Sequence, residues 1–137
     1  MESYGSLCAE VAAVSVGPDG VRVHRVVVAL DCGDIVNPDA VEAQLMGGVT
    51  QGLSAMLGEA ITLKNGAAEQ RNFDTYRVLR IDRAPKVEAH VIRSGQGWGG
   101  VDEPGVPPIA PAVANAIFAA TGRRVRRLPL TAEGLGV

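Results

Sequence analysis

The stretch LCAEVAAVSV-GPDG-VRVHRVVVAL, residues 7–30, decides the fold. Both flanks are rich in residues that favour β-strands, and the central residues 17–20 favour a tight turn. We therefore predict two strands, residues 7–16 and 21–30, joined as a hairpin. The strand pattern ends at residues 31–34, DCGD.

Two helices are predicted beyond the hairpin. The first spans residues 38–57. Asn37 can act as its N-cap, Pro38 fits its first turn, and Asp39 suits its positive end. The second spans residues 109–121 and is stopped by the glycine that follows it.

Shorter elements complete the predicted fold. They are a hairpin over residues 61–69 with Asn-Gly at its centre, irregular structure over 72–83, a strand over 86–92, a flexible glycine loop over 95–100 and a short strand over 125–130. This mixture predicts an α+β fold, in which antiparallel hairpins and a mixed sheet accompany two main helices. We expect a single domain over residues 1–137, and a doubly wound parallel sheet fits the order of elements less well.

The first predicted helix has two unlike faces. One is a broad apolar arc, and the other carries Gln44 and small residues. An interior glycine costs about 1 kcal/mol relative to alanine, so Gly47, Gly48 and Gly52 require an explanation. Close packing of the helix against the sheet is one explanation. A ligand that lies against exposed backbone and accepts a hydrogen bond from Gln44 is the other.

Composition excludes several classes of protein. The chain is 47% hydrophobic and 20% charged, which excludes disorder and permits a substantial core. No apolar run approaches the roughly 18 residues of a membrane span, and the amino terminus lacks the pattern of a signal peptide. With a net charge of −2, and one arginine cluster at residues 123–127 interpreted as solvated, we expect no nucleic-acid binding. A soluble protein of the cytoplasm or periplasm is expected.

Three common kinds of site are not supported by the spacing of residues. Residues 95–100 fit G-x-G-x-x-G, but three prolines follow before a helix can begin, so a dinucleotide site is rejected. Cys8 and Cys32 are too few for a disulfide framework. No spacing joins them to His24 or His90 as a nucleophile pair or a metal site, and both histidines are interpreted as strand residues.

Glu103 is the best candidate for chemistry. It lies between the glycine loop and a proline-rich segment, where a rigid turn can aim a carboxylate into a cleft. A purely structural carboxylate in a turn is the alternative interpretation.

Four ordered segments carry a family resemblance. They are residues 28–38 (VALDCGDIVNP), 44–53 (QLMGGVTQGL), 72–76 (NFDTY) and 100–117, which starts with GVDEPG and ends with ANAI. In order and spacing they resemble the carboxyl-terminal part of the molybdenum-binding large (beta) subunit of the xanthine dehydrogenase and aldehyde oxidase family, with a particular likeness to isoquinoline 1-oxidoreductase. The likeness covers about residues 6–130.

The resemblance implies an enzyme in which a pterin dithiolene holds molybdenum and water-derived oxygen is inserted into an aldehyde or an N-heterocycle. It implies that Glu103 is the general base and that Gln44, Gly100, Val101 and Asp102 lie at the cofactor. No residue of this chain is expected to ligate the metal. The family also implies iron–sulfur clusters on a partner small subunit or domain, to which the electrons pass.

Asp102 departs from the family pattern, which usually has glycine directly before the glutamate. A second carboxylate close to Glu103 would raise one of the two pKa values by like-charge repulsion. The chain is also only a fraction of the family's subunit, so we expect it to be inactive without the remainder of that subunit. The competing hypothesis is a non-catalytic module that keeps the fold and self-associates through its apolar excess.

Overall fold

The computed structural model describes residues 1–135 and contains six strands and two α-helices. The elements are β1 (Glu2–Ser3), β2 (Ser6–Gly17), β3 (Gly20–Asp31), α1 (Pro38–Leu57), β4 (Leu63–Lys64), β5 (Ala67–Ala68), β6 (Lys86–Ile92), α2 (Ile109–Thr121) and a 3-10 helix (Leu130–Glu133). The predicted α+β fold is confirmed. A single domain over residues 1–137 stays a prediction, and its last two residues lie outside the described part.

Four strands form one sheet in the order β1-β2-β3-β6. The predicted hairpin is confirmed as the antiparallel pair β2 and β3, with Cys8 opposite Leu30. β6 runs parallel to β3, with Ala89 opposite Val28, so the sheet is mixed as predicted. Parallel neighbours need a long crossover, and α1 lies within the connection between β3 and β6.

A bulge keeps the apolar side of β3 on one face. The register shifts between Ala13 and Val14, so that β3 carries the extra residue His24. Val23 and Val26 are therefore both buried although they are three residues apart. α2 packs on β2 and α1 packs against β6, so both helices lie on this face of the sheet.

The helix ends and the tight turns follow the predicted local chemistry. The Asn37 side chain accepts a hydrogen bond from the Ala40 N–H at 3.2 Å, and α2 ends at Gly122, which has a φ of 73°. Asn65 and Gly66 both have positive φ values, 51° and 79°, as a two-residue hairpin turn between β4 and β5 requires.

The predicted strand over residues 125–130 is wrong. Val125 and Leu130 are buried at its two ends, but the residues between them form no strand and lead into the 3-10 helix. Pro129 has no N–H to donate to a strand ladder, which removes a hydrogen bond from so short a segment. Arg123 instead bonds Glu133 at 3.1 Å and ties the 3-10 helix back to the end of α2.

Within residues 1–135, neither helix combines the length and the hydropathy needed to cross a bilayer.

Candidate functional site

The second half of the glycine loop is held by backbone hydrogen bonds. The Gly99 N–H donates to the Cys32 carbonyl at 3.0 Å, and the Gly100 N–H donates to the Tyr4 carbonyl at 2.9 Å. The loop therefore lies between the start of β2 and the end of β3. These contacts, which are distant in sequence, satisfy backbone polar groups of this half of the loop. The flexibility of the loop stays a prediction.

Close approach explains two of the glycines at this position. Gly33 has a φ of +76°, and a methyl group there would lie 2.6 Å from the Gln96 carbonyl oxygen and would overlap that of Gly97. A methyl group at Gly99 would overlap the Ser6 hydroxyl and lie 2.9 Å from the Ser6 backbone nitrogen. At each of the two glycines, two backbone segments approach too closely to leave room for a side chain.

We expect Gly99→Ala to lower the free energy of unfolding by about 2 kcal/mol, since the overlapping atoms are largely backbone and cannot move aside cheaply. Gly97→Ala is the matched control, because nothing lies within 4 Å of the methyl group that it adds. Its effect should stay within about 0.5 kcal/mol. Urea unfolding of both variants measures the difference, and equal midpoints would contradict the close packing of this loop.

Ser6 completes the attachment of the loop and was not predicted as a site residue. It is fully buried, and its hydroxyl donates to the Gly100 carbonyl at 2.7 Å across 94 residues of sequence. No local pattern identifies such a residue, because its partner is set by the tertiary fold. Through Ser6 and Tyr4, the beginning of the chain positions the residues that lead into the Asp102-Glu103 turn.

The turn at Glu103 is seated directly on α1. The Glu103 carbonyl accepts a hydrogen bond from the Val106 N–H at 2.8 Å, and Gly105 is buried. A methyl group at Gly105 would lie 3.0 Å from the Leu45 carbonyl oxygen, and one at Gly48 would lie 3.3 Å from Gly105. The backbone of the turn thus rests on the backbone of the helix.

Two of the helix glycines receive other parts of the backbone. Gly48 packs against Gly105 and Val106 of the turn, and Gly52 packs against Val106 and Ile109, so the predicted packing against the sheet is wrong for both. Gly47 differs, because nothing lies within 4 Å of a methyl group placed there. Its backbone remains open to a ligand.

The turn that contains Glu103 meets α1 next to Gln44. Gln44 precedes Leu45, which contacts Gly105, and Glu103 lies two residues before that glycine. Gln44, Asp102 and Glu103 are all exposed. Within residues 1–135 their side chains have no hydrogen-bond partner, so these groups are available to a ligand. Gly100 and Val101 are half-buried, and the Val101 side chain packs against the core.

The described cavities lie elsewhere. The larger, of about 420 Å³, is at the carboxyl-terminal end of α1 and is lined by Ser54, Tyr76 and Arg77 among others, but by none of the predicted site residues. In it the Leu79 N–H donates to the Ser54 hydroxyl at 2.8 Å. At the contact between the Glu103 turn and α1, the side chains of Gln44, Asp102 and Glu103 are exposed and Gly47 adds no side chain. The chain offers one wall of a site rather than an enclosed pocket.

The cysteines do not form a reactive site. Both are free and buried, and desolvation raises the pKa of Cys8 to about 11 and also raises the pKa of Cys32. Such thiols stay protonated near neutral pH and are poor nucleophiles. Within residues 1–135, no three potential metal-ligating side chains come together.

Comparison with known proteins identifies the family. Residues 1–85 match the profile of the Molybdopterin cofactor-binding domain. The chain belongs to this family. The match confirms the predicted resemblance to the molybdenum-binding subunits of the xanthine dehydrogenase and aldehyde oxidase family, and with it the type of cofactor.

Individual relatives of this molybdopterin cofactor-binding domain are much longer proteins. Isoquinoline 1-oxidoreductase subunit beta of Brevundimonas diminuta is 38% identical over 110 residues, which are 80% of this chain and 14% of that protein. A membrane-bound aldehyde dehydrogenase [pyrroloquinoline-quinone] of Gluconacetobacter polyoxogenes is 36% identical over 110 residues, with the same two coverages. The chain therefore spans about one-seventh of the length of these relatives.

The fold of the domain also matches solved structures. A Cu,Mo-CO dehydrogenase in its carbon monoxide reduced state superimposes with a TM-score of 0.75 and 24% identity, over 85% of this chain and 16% of that chain. At this identity the likeness supports the fold alone.

Proposed function

We propose that this chain forms one wall of the active site of a molybdenum hydroxylase, with Glu103 as general base. The observation that carries the proposal is the packing of the Glu103 turn on α1 at Leu45, next to Gln44, with the side chains of Glu103 and Gln44 both exposed. A carboxylate held on a rigid turn beside a helix surface without side chains leaves room for a ligand between them.

The residues at this edge fit a pterin cofactor. Gln44 offers an amide that both donates and accepts, and Gly47 offers a helix surface without a side chain. The Gly100 N–H and carbonyl are already bonded to Tyr4 and Ser6, so Gly100 and the half-buried Val101 would contact the cofactor by close packing. We propose that these groups hold the cofactor together with Asp102. When bound, the cofactor would supply a metal that makes water-derived oxygen nucleophilic and accepts electrons from the substrate.

Glu103 is suited to accept a proton from such an oxygen. Its backbone is fixed by the hydrogen bond to Val106 and by the buried residues Pro104 and Gly105. A rigid backbone limits the positions of the carboxylate, and proton transfer by a positioned side chain contributes about 10²–10⁴-fold to a rate. Asp102, directly beside it, is the one residue of the turn that departs from the family pattern.

The substrate and the partners follow from the relatives and from the surface. One relative is named an isoquinoline oxidoreductase and the other an aldehyde dehydrogenase, which supports an N-heterocycle or an aldehyde as substrate. Phe73, Ile81 and Trp98 are 81%, 94% and 72% exposed, which is unusual for large apolar side chains. We propose that they face the remainder of a larger subunit. Iron–sulfur clusters would lie on a partner subunit or domain, because two buried cysteines cannot bind them.

We expect the purified 137-residue chain to contain well under one molybdenum atom per molecule, because the described site is an open edge rather than an enclosed pocket. Metal analysis of the chain by plasma mass spectrometry, after expression in cells that make the cofactor, measures this content. A stoichiometric metal content would show that the chain binds the cofactor without further polypeptide.

A non-catalytic interaction module is the second candidate. The extra carboxylate of Asp102 and the exposed apolar side chains favour it. The relative from Gluconacetobacter polyoxogenes is named for pyrroloquinoline quinone, a different cofactor. The family match over residues 1–85 supports molybdopterin for this chain instead.

A further inference from the structure

Glu10 is a carboxylate residue on the apolar face of β2. It lies opposite Val28, between Cys8 and Ala12 on the face of β2 that turns toward the helices. Both of its carboxylate oxygens are buried, and neither has a hydrogen-bond partner among residues 1–135. α2 packs on this strand. An ionised carboxylate without a partner is expensive at such a position.

Among residues 1–135, no opposite charge offsets the burial of the Glu10 carboxylate. Cys8 is the titratable neighbour on β2, and burial keeps its thiol protonated. The amino group of Met1, beside β1, donates to the Cys8 carbonyl at 2.7 Å. β3 faces Glu10 with the buried residues Val26 and Val28, and the sequence of α2 contains no titratable side chain. Desolvation alone raises the pKa of Glu10, to about 8.

The helix above Glu10 is continuous with the candidate site. α2 begins at Ile109, a few residues after the Glu103 turn. A methyl group at Gly52 would lie 2.6 Å from the Ile109 side chain, so the start of α2 is also pressed against α1. A shift of α2 away from β2 would therefore disturb the support of the turn.

We propose that Glu10 is a proton-dependent switch that controls the seating of α2, and with it the Glu103 turn, on the sheet. With a proton, the side chain is neutral and the helix packs over it. Without the proton, the buried charge favours a structure in which water reaches the carboxylate between β2 and α2. This inference concerns the fold of the chain and does not depend on the proposed catalytic role.

The direction of the pH effect follows from the pKa of Glu10 in the two states. Its pKa is higher in the folded chain, about 8, than the ordinary value of 4.5, so the folded chain holds more protons between these values. The stability that the proton provides is complete below pH 4.5. It is lost as the pH rises from there through about 8.

Thermal melting of the 137-residue chain between pH 5 and pH 9 tests the switch. Glu10→Gln is neutral at every pH, so its melting temperature should exceed that of the parent chain by about 5–10 °C more at pH 9 than at pH 5. Glu69→Gln, which changes an exposed residue, is the control and should follow the parent chain. A Glu10→Gln chain that follows the parent within about 1 °C would overturn the proposal.

Hydrogen exchange of the unmodified chain gives a second test that needs no variant. After correction for the intrinsic rate, amides of α2 should lose about 10-fold in protection relative to those of α1 between pH 7 and pH 9. If the protection of α2 and that of α1 changed by the same factor between pH 7 and pH 9, the proposal would be overturned. This test holds even if the Glu10→Gln chain fails to fold. A Glu10→Met chain, which removes the polar group, should then show the flat pH profile.

Discussion

Replacing Glu103 by glutamine in the complete enzyme is expected to lower turnover by about 10³-fold while the cofactor content stays unchanged. Glutamine keeps the shape of the side chain but cannot accept the proton. The hydrogen bond that forms the turn uses the Glu103 backbone carbonyl, so the exchange should leave the turn intact. Steady-state kinetics together with metal analysis of the same preparation measure the effect.

The control is Glu69→Gln, which changes an exposed carboxylate directly after β5. Its turnover should stay within about twofold of that of the unmodified enzyme. Because a base acts in the transition state, Glu103→Gln should lower kcat and kcat/KM by similar factors. Unchanged turnover would leave Glu103 only a structural role and would favour the interaction module. A loss of turnover that accompanies loss of metal would assign Glu103 to cofactor retention instead of proton transfer.

The glycines of α1 should respond to alanine in opposite directions. Gly52→Ala places a methyl group 2.5 Å from the Val106 carbonyl oxygen and 2.6 Å from the Ile109 side chain. We expect a loss of about 2–3 kcal/mol in the free energy of unfolding, because overpacking outweighs the better helix propensity of alanine. Gly47→Ala adds a methyl group with nothing within 4 Å and should stabilise the chain by about 1 kcal/mol.

Urea unfolding of both variants, analysed with a shared slope, measures the two changes on the same scale. The comparison isolates the contact with the turn, since the two positions lie in the middle of the same helix. Two stabilised variants would show that the turn does not press on α1. In the complete enzyme, Gly47→Ala would also probe the cofactor surface, where we expect weaker cofactor retention despite the higher stability.

Local residue chemistry was sufficient to predict most elements. The N-cap at Asn37, the Asn65-Gly66 turn and the glycine that ends α2 each act through neighbours within a few residues in sequence. The hairpin of β2 and β3 joins segments that are adjacent in sequence, so its pattern alone predicts the pairing. The strand expected over residues 125–130 failed because strand formation needs a partner edge, which no local pattern specifies.

The sequence by itself determined the α+β class, the two helices and, through ordered motifs, the family and the candidate base Glu103. Only the tertiary structure showed that the glycines of α1 receive the turn, that Ser6 holds Gly100, and that the Glu10 carboxylate oxygens are buried with no hydrogen-bond partner among residues 1–135. The physical reason is the range of the interactions. Capping and turn formation depend on neighbouring residues, whereas close approach and desolvation depend on which distant backbones the fold brings together.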